Sequence, residues 1–337
     1  MEECVTMYEP DIYFTPEYGK LFADHDHGQW HKFEFDCALG KVYYSFIVRP
    51  IIIGGQETKH FDCITPYGYG GPIITECKSD HQYQLAQAYS NEFSNYCKKN
   101  DIITEFVRFH PLLNNVEYCK EIYDVAFNRK TVAIDLTLDN LMKDSFSQKC
   151  RNTIKKAIKN DVKVQFDFEG TTIKDFHRLY TLTMQKNAAL DYYFFTEEFF
   201  IETMRALNGK IFILNALHEG TIISSAMFMH HQNFMHYHFS ATHPDYYKLA
   251  CNNLILAEAA RWGKDHGKRF FHLGGGFTTA EDDSLLLFKK SFAKNGLHDF
   301  WIARRIHNHD IYHELVELAQ KNKDEPLRSD YFPLYRV

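Results

Sequence analysis

The sequence predicts a mixed α/β fold whose sheets contain antiparallel strands, arranged as two successive units. A chain of 337 residues fits either two domains of ordinary size or one elaborated α/β body. Hydrophobic residues make up 45% and charged residues 24%, as in globular proteins. The strands and helices do not alternate strictly, which argues against a doubly wound parallel sheet. Two units can nevertheless be drawn, and we expect domains at residues 1–145 and 146–337.

The predicted elements of the first unit surround a glycine-rich segment. Two strands meet at the Gly54–Gly55 turn and lead into residues 65–72, TPYGYGGP. A helix and two more strands follow, and a further helix bridges to the second unit. The predicted ranges are, in order, strands at 41–53 and 60–65, a helix at 79–99, strands at 102–109 and 131–136, and a helix at 138–160.

The second unit shows a clearer order of elements. Three strands are joined by short turns at Glu219–Gly220 and Gln232–Asn233, as in antiparallel hairpins. A helix that ends at Gly267, a strand that runs into three glycines and a last helix complete the unit. The predicted ranges are, in order, a strand at 162–168, helices at 172–186 and 196–207, strands at 210–217, 221–231 and 233–242, a helix at 250–266, a strand at 268–273 and a helix at 282–294.

Composition and charge exclude several classes of function. The formal net charge of −6 argues against a protein that wraps nucleic acid over a wide surface, so DNA is not expected as a partner. No stretch approaches the roughly 20 unbroken apolar residues of a transmembrane helix, although peripheral contact with a membrane stays open. The acidic start, MEECVTMYEPD, lacks the basic and apolar parts of a secretory signal, which predicts a cytoplasmic protein.

Cysteine and histidine spacing does not predict a metal site. The eight cysteines form no C-x-x-C pair, so neither a zinc site nor a disulfide framework is indicated. His236 and His238 would share one face of a strand, but no third ligand is suitably spaced. We therefore expect no bound metal and no tightly bound cofactor, and we expect most of the thiols to be buried and reduced.

The most informative segment, residues 271–292, combines a strand, three consecutive glycines and a helix. On that helix Leu285, Phe288 and Phe292 lie three or four residues from Lys289, so the lysine stem lies on or beside the apolar face. Such a lysine either extends to the surface or is held for use. Flexible backbone beside a cation at an apolar face suggests a site, with Lys289 as its charged group.

Acidic residues begin this helix. Carboxylates at a helix start satisfy free N–H groups and complement the helix dipole. We expect Asp282 to cap the helix, whereas Asp283 either caps it or takes part in a site. Lys290 lies on another side of the helix and is expected to be a solvated charge.

Two other segments are candidate binding sites. Arg151, Lys155 and Lys159 follow one another at four-residue spacing, so this helix face either holds phosphates or is a solvated charged surface. Tyr67 and Tyr69 flank the glycines of TPYGYGGP, whose backbone either approaches a ligand closely or forms a structural turn.

Taken together, these segments resemble the FemA/FemB/FemX family of peptidoglycan interpeptide-bridge enzymes, which carry two GNAT-like acyltransferase units in tandem. The resemblance covers most of the chain, from about residue 41 to the FPLYR near the end. Its most specific pieces are TPYGYGGP (65–72), RNTIKKAIKNDV (151–162), FSAT followed by NNLILAEA (239–259), and HLGGG with LFKKSF (272–292).

The resemblance implies transfer of an acyl or aminoacyl group to an amine on a nucleotide- or lipid-linked sugar or peptide precursor. Acyl transfer to an amine needs positive charge where an oxyanion develops, and the resemblance gives Lys289 that role. Asp283, if it does not cap the helix, would position the acceptor amine. The implied co-substrate is acyl-CoA or aminoacyl-tRNA, so tRNA is a possible partner. In GNAT folds the start of the helix equivalent to the one predicted at 250–266 receives the CoA pyrophosphate. The site residues expected on this basis are Lys289 and Asp283 for catalysis, Arg151, Lys155, Tyr67, Tyr69, Tyr237 and Phe288 for the substrate, and Asn252, Asn253, Gly274 and Gly275 for the donor.

One departure from the family keeps a second function open. After the Gly-Pro of the first unit some members carry an aspartate, whereas this chain reads Ile73, Ile74, Thr75 and Glu76. The alternative is a catalytically silent glycan-binding or scaffold module that retains the GNAT fold.

Overall fold

The computed structural model describes residues 4–6, 11–323, 325–327 and 331–336. The chain forms two compact units, one of residues 1–128 with 299–337 and one of residues 129–298. The predicted domains instead assign residues 129–145 to the first half and 299–337 to the second half. The compact units reflect compactness and not independent folding, so the predicted division into domains stays a prediction. Most of the amino-terminal segment used to predict location lies outside the described residues.

Strands and helices together confirm the predicted mixed α/β class. The strands are β1 (Cys4–Thr6), β2 (Gln29–Cys37), β3 (Gly40–Ile53), β4 (Gln56–Ile64), β5 (Ile73–Lys78), β6 (Ile102–Arg108), β7 (Asp124–Asp135), β8 (Lys163–Asp167), β9 (Ile211–His218), β10 (Thr221–His231), β11 (Phe234–Thr242), β12 (Phe270–Gly275) and β13 (Leu297–Ile306). The helices are α1 (Pro16–His25), α2 (Gln82–Lys99), α3 (Gln148–Lys159), α4 (Ile173–Lys186), α5 (Glu197–Ala206), α6 (Cys251–Asp265), α7 (Ser284–Lys290) and α8 (His309–Lys321).

The first unit is built on a mixed sheet with strand order β1-β5-β3-β4-β6-β13, and β2 also pairs with β3. Among the strand pairs described for this unit, β4 and β6 run parallel and the others antiparallel. Helix α2 lies in the connection between these two strands, because parallel neighbours need a crossover longer than a hairpin turn. Its buried face repeats every four residues at Leu85, Tyr89, Phe93 and Cys97, as the helical period requires.

The second unit has strand order β7-β12-β11-β10-β9-β8, with β11 and β12 parallel and the other pairs antiparallel. The predicted hairpins β9–β10 and β10–β11 are confirmed. Glu219 and Gly220 both have positive φ, 51° and 78°, which matches the right-handed twist of the strands that they join. Helix α6 provides the crossover from β11 to β12, and Gly267 ends that connection at a φ of 69°.

Two predicted helices are corrected. The helix expected at 138–160 is broken into a short π-helix, Leu141–Ser145, and α3. The break lies at Ser147, whose hydroxyl accepts a hydrogen bond from the Cys150 N–H and caps α3. The helix expected at 282–294 is only α7, and residues 291–296 form turns.

Candidate active site

The glycine loop begins at an irregularity in strand β12. The pairing of β12 with β7 shifts register between His272 and Gly274, as at a β-bulge. Gly274 has a φ of 76°, a conformation that glycine adopts without a Cβ clash. The strand therefore ends by turning its last residues into a loop that faces helix α7.

Lys289 is buried, with only 8% of its surface exposed. Its Nζ donates a 2.7 Å hydrogen bond to the carbonyl oxygen of Gly275. The same ammonium lies 5.9 Å from the centre of the Tyr237 ring. Burial lowers the pKa of Lys289 to about 8, Asp283 partly opposes that shift, and Arg129 adds to it.

Asp283, and not the predicted Asp282, caps helix α7. One carboxylate oxygen accepts a 2.9 Å hydrogen bond from the Leu286 N–H. The other accepts from the N–H groups of Phe277 and Thr278 and from the Thr278 hydroxyl. Although burial opposes it, this set of hydrogen bonds lowers the pKa of Asp283 to about 2. The carboxylate thus joins the glycine loop to α7, whereas Asp282 is exposed.

Arg129 is a charged residue of the site that the sequence did not reveal. Its Nη1 donates to the carbonyl oxygens of Gly276 and Phe277, at 2.9 and 3.2 Å. The residue lies on β7, 160 positions before Lys289 in the sequence, and no local pattern connects the two. Only the pairing of β7 with β12 could have indicated their proximity.

Tyr237 and Asn252 form a reciprocal polar pair beside Lys289. The Asn252 amide donates to the Tyr237 hydroxyl at 3.0 Å, and the hydroxyl lies 3.2 Å from the Asn252 Oδ1. Burial raises the pKa of Tyr237, so its phenol stays neutral at physiological pH.

Ala250, just before α6, has a φ of 59° and makes no side-chain cap hydrogen bond. Asn253 is half-buried in the first turn of that helix.

The remaining predicted residues of the second unit are Arg151, Lys155 and Phe288, and their surroundings differ. The Arg151 guanidinium donates to the carbonyl oxygens of Met142 and Phe146, at 3.1 and 2.6 Å, so it fastens the π-helix to α3. Lys155 is exposed. Phe288 is half-buried, and its ring packs edge-on against the Phe292 ring with the ring centres 5.5 Å apart.

In the first unit, Tyr67 and Tyr69 belong to a well-packed loop. The Tyr67 ring stacks on Phe22 at 5.1 Å, and Tyr69 meets Tyr13 edge-on at 5.4 Å. The Asn115 amide donates to two carbonyl groups of the glycine-rich segment. Both tyrosine residues are half-buried.

The cysteines agree with the prediction of buried thiols. All seven cysteines whose side chains are described are free, and six of them are buried, with Cys37 half-buried. The side chain of Cys4 lies outside the described residues.

His236 and His272 are buried on neighbouring strands with their ring centres 5.7 Å apart. Among the described helices, none has the length and apolar character needed to cross a membrane.

Comparison with known proteins identifies the fold. Residues 145–282 match the family described as Acetyltransferase (GNAT) domain. FemX superposes with a TM-score of 0.69 at 12% identity, over 90% of this chain and 94% of that chain. The C-terminal domain of a candidate lysylphosphatidylglycerol synthetase from Agrobacterium fabrum gives 0.54 at 10% identity, over 91% and 94%. L-PGS from Bacillus licheniformis gives 0.52 at 11%, over 94% and 100%. No curated protein matches the chain.

Proposed function

We propose that this chain, an acyltransferase of the GNAT class with a FemX-like tandem fold, forms an amide by moving an acyl or aminoacyl group to an amine on a cell-envelope glycan or peptidoglycan-type precursor. The observation that carries the proposal is the buried Lys289 ammonium at the Gly275 carbonyl. Burying a lysine costs folding stability, so this placement favours a catalytic role over a silent binding module.

The chemistry that we assign to Lys289 is stabilisation of an oxyanion. The acceptor amine attacks the donor carbonyl carbon, and the carbonyl oxygen becomes negative. The bond from that carbon to the CoA sulfur or the tRNA ribose oxygen then breaks, and the leaving group departs with the proton that the amine gives up. Because the pKa of Lys289 is about 8, the ammonium is the major form at neutral pH. A fixed positive charge interacts strongly in an environment that excludes water, and a single such donor typically accounts for about 10²- to 10³-fold in rate. Asp283 holds the loop and balances the charge of Lys289.

For the donor we propose a site formed by Gly274, Gly275, Asn252 and Asn253. Helix α6 begins after the left-handed Ala250 without a side-chain cap, and N–H groups at a helix start suit a phosphate group. Acyl-CoA is the donor that fits this feature and the GNAT match. Aminoacyl-tRNA remains the second donor, and no tightly bound cofactor is proposed.

For the acceptor we propose contacts from Tyr237 and Phe288 beside Lys289, with phosphates of a nucleotide- or lipid-linked precursor on the α3 face. Lys155 is exposed on that face and is available for an anion. Arg151 already holds two backbone carbonyls, so it would support the helix as well as bind. Tyr67 and Tyr69 stay predicted substrate contacts, and so do the cytoplasmic location and a peripheral contact with the membrane.

The test is a product assay. The purified protein is incubated with acyl-CoA or with charged tRNA, together with an amino-sugar or peptidoglycan-peptide precursor, and mass spectrometry looks for a new amide. CoA binding should raise the melting temperature in a saturable way, whereas tRNA binding should weaken steeply with salt. Absence of an amide with both donor classes, from a folded protein, would contradict the proposal.

A further inference from the structure

Three charged side chains hold the backbone of the glycine loop at residues 275–278. Lys289 takes the carbonyl of residue 275, and Arg129 takes the carbonyls of residues 276 and 277. Asp283 takes the N–H groups of residues 277 and 278. Two cations and one anion thus hydrogen-bond the consecutive peptide groups of this loop. In an exposed loop, water would ordinarily make these hydrogen bonds.

The stem of Arg129 also packs directly on this loop. A Cβ built on Gly275 would lie 2.9 Å from the Arg129 Cδ, and one built on Gly276 would lie 2.4 Å from an Asp283 oxygen. Glycine at both positions lets the two charged groups approach the backbone closely. Arg129 reaches the loop from β7, where Thr131 pairs with Gly275.

We infer that Arg129 is a positioning residue for Lys289. Its guanidinium orients the loop so that the Gly275 carbonyl faces the Lys289 ammonium, and it places a second positive charge near that ammonium. That this arrangement serves acyl transfer rests on the proposed function. The positioning itself is a property of the folded chain.

The electrostatic consequence can be measured without any substrate. The charged and titratable groups that face Lys289 are Asp283 at the start of α7, Arg129 on β7 and the neutral phenol of Tyr237 on β11. Arg129 disfavours the ammonium, whereas Asp283 favours it. Loss of the Arg129 charge should therefore let Lys289 keep its proton to higher pH.

The experiment is an NMR titration of the Lys289 side-chain carbon signal, assigned by its loss in Lys289→Met. The wild-type midpoint is expected at about 8. Arg129→Gln should raise it by roughly 0.5 to 1, as for loss of a nearby like charge. Arg129→Lys should keep the wild-type midpoint, because it retains the charge, but should lower kcat because the lysine side chain is shorter and does not place its donors where the Arg129 Nη1 lies. Lys130→Met, an exposed neighbour on the opposite strand face, should change neither.

An unchanged midpoint in Arg129→Gln would overturn the inference, because a positive charge placed close to the Lys289 ammonium must lower the pKa of that lysine. If that variant fails to fold, the wild-type protein still decides: the amide signals of Gly275 and Gly276 should titrate with the Lys289 midpoint, and a flat response would overturn the inference. Failure of the amide-forming assay with the expected titration would count against the proposed function alone.

Discussion

The Lys289 ammonium lies 2.7 Å from the carbonyl oxygen of Gly275, in a position where only 8% of the lysine is exposed. This contact joins helix α7 to the end of strand β12 at the glycine loop. The neighbouring Lys290 is exposed, as the sequence predicted. Two adjacent lysines therefore provide a buried cation and a matched surface control.

Asp283→Asn should destabilise the fold. The amide keeps the shape of the carboxylate but loses its charge and presents an NH₂ group toward N–H donors of Phe277 and Thr278. We expect a loss of about 1 to 3 kcal/mol in the free energy of unfolding, measured by urea denaturation. Asp282→Asn, on an exposed residue, should cost less than about 0.5 kcal/mol. Equal losses for the two variants would contradict the assigned cap.

Gly276→Ala should disturb the same contact by steric means. Its Cβ would lie 2.4 Å from an Asp283 oxygen and 3.1 Å from the Leu286 Cβ, so the loop or α7 must move. We expect a loss of about 2 kcal/mol, together with reduced activity. Gly220→Ala is the control, because its Cβ would meet open space and only the positive φ is strained, at about 1 kcal/mol. A smaller loss at Gly276 than at Gly220 would argue against the close approach.

Tyr237→Phe should separate packing from hydrogen bonding. The ring stays beside Lys289, but Asn252 loses the hydroxyl with which it exchanges hydrogen bonds. If the pair orients the substrates, kcat/KM should fall about tenfold while stability changes by about 1 kcal/mol. Tyr247→Phe, on an exposed ring, should leave both unchanged. Wild-type kinetics for Tyr237→Phe would remove this hydroxyl from the site.

The activity should decline in alkaline solution because the Lys289 ammonium loses its proton. Its pKa of about 8 means that the charged form dominates below that pH and decreases about tenfold per pH unit well above it. The measurement is kcat against pH, with an acceptor whose amine is neutral throughout the range. An increase in kcat through pH 8 would instead indicate that Lys289 acts as a base.

The same lowered pKa predicts how stability depends on pH. Between about 8 and the ordinary value of 10.5, the unfolded chain binds a proton at Lys289 that the folded chain does not. Stability should therefore rise with pH across this window through Lys289, and Lys289→Met should lack that contribution.

The sequence was sufficient where the signal is local. The spacing of Leu285 and Phe292 around Lys289 predicted a lysine at an apolar face, and the burial of Lys289 agrees with it. The turns at Glu219–Gly220 and Gln232–Asn233 predicted the two hairpins. In each case the determining residues lie within a few positions of one another, so periodicity and turn preference suffice.

The prediction was incomplete where a feature depends on residues far apart in the sequence or on a choice between adjacent positions. Arg129 reaches the loop through strand pairing, which the local sequence does not encode. The choice of Asp283 over Asp282 as the cap depends on a shift of one residue in the loop. The carbonyl contacts of Arg151 depend on a π-helix that interrupts a continuous helical pattern. Strands β1, β2, β5 and β13 and helices α1 and α8 were missed altogether.

The most direct test of the central claim is acyl transfer by Lys289→Met compared with Lys290→Met. We predict that Lys289→Met binds both substrates, unfolds within about 2 kcal/mol of the wild type, and forms amide about 10²- to 10³-fold more slowly, as for loss of an oxyanion donor. Lys290→Met should retain wild-type activity. A wild-type rate of amide formation in Lys289→Met would contradict the role of this ammonium.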